Sequence, residues 1–215
     1  MRNVKFYPPL EEKINILSHA FGLALSIFAL LLLVRHPNID GNTLYLVSFS
    51  IFGISLIILY AASTFYHRAT NPQLRSKLRV VDHASIYVLI AGTYTPFTLI
   101  TLNSQTGWVI FYITWAMALT GIILKIFFTG KFNIISTLMY VFMGWIIIFA
   151  IDDLLDKLSS EGLFWLVVGG VSYTLGAVLY AIKKIKFNHA IFHIFVLFGS
   201  ISHFISVYFY VLPKG

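Results

Sequence analysis

The chain has 215 residues, 59% of them hydrophobic and only 11% charged; an ordinary soluble domain carries about 25% charge, so most of this surface is built to face lipid. Cysteine is absent, which excludes disulfides and thiolate ligands and leaves His and carboxylates for any transition-metal site. The net charge of +7 reads as the loop topology of a membrane protein and not as a nucleic-acid surface.

The chain opens with MRNVKFYPPLEEKIN, where Glu11 and Glu12 interrupt the approach to the first apolar run. No small-residue cleavage site follows, so the stretch does not read as a signal peptide. Residues 1–15 are expected to form a short segment at one membrane face. About 20 mostly apolar residues suffice to cross the hydrocarbon, and seven stretches qualify. In chain order they are Ile16–Val34, Leu44–Tyr66, Ile86–Leu102, Trp108–Phe128, Ile134–Ile151, Leu163–Ile182 and Ala190–Leu212. Turn signals or charge separate them: HPNIDGN, RATNPQLRSK, NSQTG, TGKFN, DDLLDKLSSEG and KKIKFN. In the third stretch, Tyr94, Thr95 and Pro96 of AGTYTP predict a kink, because Pro frees a carbonyl in mid-span. In the sixth, Gly169, Gly170 and Gly176 are candidates for close helix contacts. Neither repeats nor low-complexity linkers divide the chain, so the fold class expected is all-α, one seven-helix membrane bundle over residues 1–215.

Basic residues orient the bundle. The segments before span one and after spans two, four and six hold 12 of the 15 Lys and Arg; the others hold only Arg35, Lys157 and Lys214. The N-terminus is therefore expected in the cytosol and the C-terminus outside.

That orientation gathers polar residues in one layer. Span two ends inside with STFYH, carrying Ser63 and His67. Span three begins inside with VVDHASIY, carrying Asp82 and His83. Span seven begins inside with His189 and His193, and span one with Asn15, Ser18 and His19. Two imidazoles at i and i+4 share a helix face and can bind one metal ion. With His67 they make three neutral imidazoles, the set of a catalytic-type zinc site with an open position. Asp82 is the candidate partner carboxylate, and Ser63 either joins the site or bonds its own helix backbone. His203 lies 14 residues beyond His189, about 21 Å along a helix, too far to share that ion.

The stretches EEKINILSHAFG, STFYH, DHASIYVLIAGTYTP and HAIFHIFVLFGSISHF fall on spans one, two, three and seven. With them the chain resembles the bacterial hemolysin III proteins, a branch of the progestin and adipoQ receptor (PAQR) superfamily. The resemblance implies one zinc ion near the cytosolic side, held by His67, His189 and His193, with Asp82 and Ser63 as the site's aspartate and serine. It also implies kinship with membrane hydrolases of the alkaline ceramidase type and, through the family name, cytolysis.

The leading expectation is a multi-pass protein of the bacterial plasma (inner) membrane that hydrolyses a lipid amide or ester with zinc-activated water. Asp82 would serve as general base or hold the nucleophile, and Ser63 as donor to the developing oxyanion. A membrane lipid is the expected substrate, and no nucleic-acid partner is expected. Two further readings stand beside it: a receptor or homeostasis sensor with a structural zinc, and a cytolytic pore. A wide pore calls for a continuous polar lining, and the spans carry few polar groups outside the inner layer.

The basic-residue asymmetry is testable by topology reporters. Fusions after Lys157 and at Gly215 are expected to report outside and one after Lys184 inside; an inside signal at Gly215 together with an inside N-terminus would mean that the span count is wrong.

Overall fold

In a computed structural model of the chain, the long apolar runs become seven helices of membrane-crossing length and composition among the described residues, which are 4–39, 41–129, 131 and 133–211, with the side chain of Asn133 left out. Arg2, Lys214, Gly215, the Leu212 end of the last predicted span and parts of two turn segments lie outside them. The elements are α1 (Pro9–Val34), a short 3-10 turn (Pro37–Ile39), α2 (Thr43–Arg68), α3 (Pro72–Pro96) with a π-helical extension (Phe97–Leu102), α4 (Gln105–Phe128), α5 (Asn133–Gly144), a 3-10 segment (Ile146–Ala150), α6 (Ile151–Lys157), α7 (Ser160–Ala181) and α8 (Asn188–Tyr210). Helices α5 and α6 with the segment between them make the fifth span. No strand occurs among the described residues.

The caps explain the boundaries. Asn42, Asn71, Ser104 and Ser159 each accept backbone N–H groups at the start of α2, α3, α4 and α7, replacing partners that a first turn lacks. Three boundaries differ from the sequence reading by more than a few residues. First, α1 begins at Pro9 and not at Ile16, so most of the described N-terminal segment is already helix. Second, α3 begins at Pro72, not Ile86. The charged stretch RATNPQLRSK reads as a loop, but Asn71 caps and Pro72 sits at the first helical position, a strong helix start, and its Arg75 is buried inside the protein. Third, DDLLDKLSSEG is in large part helix, with α6 running to Lys157.

The break expected at Pro96 takes the form of a change of helix type. Pro has no N–H to return to the preceding turn; beyond it the chain winds as a π-helix through Leu102. The hydroxyls of Thr95 and Thr98 donate to the carbonyls of Ala91 and Tyr94, both at 2.9 Å. Tyr94 repairs a second break across the bundle: its hydroxyl donates to Gly144 O and accepts from Ile147 N, both at 2.9 Å, where α5 gives way to the 3-10 segment.

Helix α3 is the central post. In its apolar stretch 83% of residues are buried, against 17% to 50% in the other spans, and it packs on α2, α4 and α5. The ring around it closes through α7 on α8, α8 on α1 and α1 on α2. The outer faces are apolar, with Ile134, Phe127 and Phe149 among the exposed side chains, as a helix in lipid requires. Inside, Ser200 ties three spans by hydrogen bonds of 2.8 Å to the hydroxyls of Tyr60 and Tyr173.

Gly169 and Gly176 are close-approach positions. A Cβ on Gly176 would lie 2.8 Å from the Phe195 Cβ, and one on Gly169 would run into the His203 ring. Gly170 is different: its nearest neighbour would be the Trp145 ring at 3.8 Å, an ordinary contact. Gly169→Ala is therefore expected to destabilise the bundle by about 1–3 kcal/mol, the usual cost of overpacking, and Gly170→Ala to be near neutral. Thermal unfolding of the two variants in one detergent checks this; equal midpoints would refute the packing of α7 on α8.

Candidate metal centre

Three imidazoles meet at one end of the bundle. His67 projects from the last turn of α2, and His189 and His193 from the first two turns of α8. All three are buried. The Nε2 of His189 lies 3.1 Å from His67 Nε2 and 3.1 Å from His193 Nε2. One ligand nitrogen from each of the three falls within 4.8 Å of the other two, a spacing that one metal ion can bridge. The pairing follows from chain geometry, since His189 and His193 are one helical turn apart and α2 is brought to them through α1, which packs on both α2 and α8.

The other ring nitrogen of His67 is held from outside. Its Nδ1 lies 2.6 Å from Glu12 Oε2. A carboxylate there accepts a hydrogen bond from the Nδ1–H and leaves the Nε2 lone pair facing inward, the arrangement of a carboxylate–histidine–metal triad. Glu12 Oε1 is bonded in turn by the Arg75 guanidinium and by the Tyr7 backbone N–H at 3.1 Å. Arg75 also donates to the carbonyls of Tyr66 (3.2 Å), His67 (3.0 Å) and Ala69 (3.1 Å) at the end of α2, and to Lys5 O (2.9 Å). A cation at a helix C-terminus meets both the orphan carbonyls and the negative end of the dipole. The guanidinium lies between the rings of Phe6 and Tyr66, 4.4 and 4.7 Å from their centroids.

The N-terminal segment covers the cluster. The Tyr7 ring stacks on His189 with centroids 4.5 Å apart and planes 10° from parallel. Burial pushes the Tyr7 phenol well above its ordinary range, so it packs as a neutral ring. Burial also lowers the Lys5 ammonium. From α1, His19 stacks on His193 at 3.6 Å, and Glu11 Oε1 accepts the His189 backbone N–H at 3.3 Å, a carboxylate at a helix N-terminus.

Beyond the cluster a cavity of about 160 Å³ opens between the spans. Ser63, Asp82, His83, His189 and His193 border its histidine end; Leu59, Leu89, Ile90 and Val196 carry it inward, and Tyr94, Trp145 and His203 line its far part. Asp82 and Tyr94 are twelve residues apart on α3, about 18 Å of helix. The structure thus brings together His67, His189 and His193, and sets Asp82 and Ser63 on the wall of the adjoining cavity. His83 borders the same cavity as Asp82 although adjacent side chains on a helix diverge. His203 is separate from the cluster, its Nε2 3.0 Å from the Leu166 carbonyl.

Glu12, Arg75 and Tyr7 escape the sequence reading. Glu12 had a signal: with Asn15 and His19 it follows i, i+3, i+7 spacing and shares a helix face. Arg75 shares a face with Asp82 in the same way, once the helix is known to start at Pro72.

A profile of the haemolysin-III related family matches residues 8–204. The chain belongs to the haemolysin-III related family. Within this family, Hemolysin-3 of Bacillus cereus is 45% identical over 205 residues, 95% of this chain and 94% of that protein. The Hemolysin-3 homolog of Bacillus subtilis (strain 168) is 44% identical over 200 residues, 93% of this chain and 94% of that protein. The human monocyte to macrophage differentiation factor is 28% identical over 213 residues, 94% of this chain and 84% of that protein. Such distant relatives tie the family to the PAQR superfamily, as the resemblance implies. The profile spans α1, α2, α3 and most of α8, and so takes in Glu12, His67, Arg75, Asp82, His189 and His193 together.

The bonding network predicts two separable effects. Glu12→Gln keeps the shape but removes the carboxylate that orients His67; it is expected to weaken metal binding about 10–100-fold, read by chelator competition. Arg75→Met strands several buried carbonyls and the Glu12 carboxylate, and is expected to cost about 3–5 kcal/mol of stability, read by thermal unfolding. Unchanged metal affinity in Glu12→Gln would sink the orienting role.

Proposed function

We propose that the chain is a zinc-dependent hydrolase of a lipid amide or ester in the bacterial plasma membrane, with its histidine end toward the cytosol. The observation that carries this reading is the meeting of three imidazole nitrogens with a long apolar cavity that Asp82 and Ser63 border. The donors fit the ion. Three nitrogens on a tetrahedral zinc at about 2.0–2.1 Å stand about 3.3–3.4 Å apart, so the two spacings of 3.1 Å need to open by only a few tenths of an ångström. An all-nitrogen set with one open position favours zinc over calcium or magnesium, which prefer oxygen. An ion held there supplies Lewis acidity and a water of lowered pKa.

This chain's own residues do the rest. Glu12 and Arg75 hold His67 in the tautomer that points Nε2 inward. Asp82 accepts the proton of the attacking water at a carboxylate oxygen and returns it to the leaving group. Ser63 donates its hydroxyl hydrogen to the carbonyl oxygen as negative charge develops there. The walls formed by Leu59, Leu89, Ile90 and Val196 receive an acyl chain and exclude bulk water. The same walls argue against a pore, which would need polar groups along its length. In the cytosolic orientation the reacting carbonyl sits at inner-leaflet depth, where acyl linkages meet the headgroups.

The test separates catalysis from a purely structural ion. Purified wild type is expected to hold about one zinc per chain, the stoichiometry of a single three-histidine site. His67→Ala and His193→Ala should lose the metal and thermal stability together, while Asp82→Ala should keep the metal and lose hydrolysis. Lipid profiling of membranes carrying wild type against Asp82→Ala reads the chemistry. Identical lipid profiles with metal retained would overturn the hydrolase reading and favour the receptor or sensor with structural zinc.

A further inference from the structure

Lys125 comes from the last turn of α4 and borders the same cavity as His189 and His193. It is 4% exposed and borders the cavity with His83, Ser136 and Tyr140. Its ammonium donates to Ser136 Oγ at 2.6 Å and stands 5.7 Å from the centroid of the Tyr140 ring. Among the described residues no carboxylate lies within salt-bridge reach of it. Glu12 is spent on His67 and Arg75, and Glu11 on the first turn of α8. An ammonium carries three donors, and burying one with donors unspent and no counter-charge is costly. A residue that only marked the membrane interface would turn its head group to water; this one is turned inward.

We propose that Lys125 is an anion subsite that holds the oxyanion head of a single-chain lipid, a fatty carboxylate or an alkyl phosphate, whose chain lies along the cavity. This rests on the lipid-cavity part of the reading above and not on hydrolysis. The ammonium is a compact point charge suited to an oxyanion. Ser136 accepts from Lys125 through its lone pair and so keeps its own O–H to give to the same oxyanion, whereas the Tyr140 hydroxyl already donates to His83 O at 3.0 Å. A cation here also disfavours a second metal ion. A cavity of about 160 Å³, of the order of one that holds a benzene-sized molecule, has room for the headward part of one alkyl chain and not for two chains side by side. The subsite makes a charge at the head a condition of tight binding, a preference that the apolar walls alone do not supply.

The experiment compares hexadecanoate with hexadecanol, the same chain without the charge, on the full-length protein in zwitterionic nanodiscs by radioligand binding. Wild type is expected to bind the acid about tenfold or more tighter, the scale of one charge-assisted hydrogen bond. Lys125→Met should bring the ratio close to one while keeping hexadecanol binding, which shows that the cavity is intact, and Lys125→Arg should restore the preference. Hexadecyl phosphate should compete and inorganic phosphate should not; equal competition by inorganic phosphate would overturn the lipid assignment in favour of a solute anion. A preference that survives Lys125→Met and disappears in His67→Ala would place the carboxylate on the histidine cluster and overturn the proposal. A preference that follows Lys125 in a protein that hydrolyses nothing would uphold the subsite and leave the hydrolase reading to fall alone.

Discussion

A buried guanidinium joins the pieces of this site. Arg75 bonds three carbonyls that close α2, one carbonyl of the N-terminal segment, and the carboxylate that holds His67. Four parts of the chain are thereby fixed to one another: residues 4–8, α1, α2 and α3. No other side chain type serves all of these at once. Five donors in a rigid planar fork can meet several carbonyls and a carboxylate together, where an ammonium has three and no fixed plane. The charge has a counter-ion in Glu12, and Glu12 has a second partner in the His67 ring, so neither member of the pair is stranded away from water. The three imidazole nitrogens, which lie close enough for one metal ion to bridge, sit directly above that anchoring.

The layering that results is asymmetric. One end of the bundle is polar and held by stacking and hydrogen bonds, with Tyr7 over His189 and His19 over His193. The remainder is apolar outside and largely apolar within, and a cavity extends into it from the histidine end. Many polar groups deep in the bundle are satisfied within it, as with Tyr94 at the break of the fifth span and Ser200 between Tyr60 and Tyr173. This is the economy lipid enforces, because water is not there to complete a hydrogen bond. Against that background Lys125, Asp82, His83, His189 and His193 stand out as ionisable groups that border a cavity.

The central position of α3 explains why one helix serves several roles. Its first turns place Arg75 under the site, its middle carries Asp82 and His83 along the cavity, and its end winds into the π-helical turn after Pro96. A helix buried on most sides has side chains facing several neighbours, so residues that diverge around its axis still reach functional surfaces. That is how Asp82 and His83, adjacent in sequence, come to border the same cavity.

The number of spans, the all-helical class and the histidine pair on one turn of α8 are legible in the sequence, because hydrophobic length and helical period are local properties that lipid reads residue by residue. Gly169 and Gly176 were legible as close contacts for the same reason, whereas Gly170 on the same stretch faces open packing against Trp145, a difference only the facing helix decides. Ser63, His67 and Asp82 could be assigned to one end of the bundle from span direction alone. The partners of those residues could not. Glu12 and His67 are 55 positions apart, and Glu12 and Arg75 are 63 apart; charged residues beside a membrane span look alike in sequence whether they face water or turn inward. Whether Arg75 solvates at an interface or is sealed beneath the site, and whether Lys125 meets water or a cavity, is settled by which helices pack on α3 and α4. Local chemistry determined the helices and their polar layer; long-range packing decided which polar groups lost their water and had to find one another.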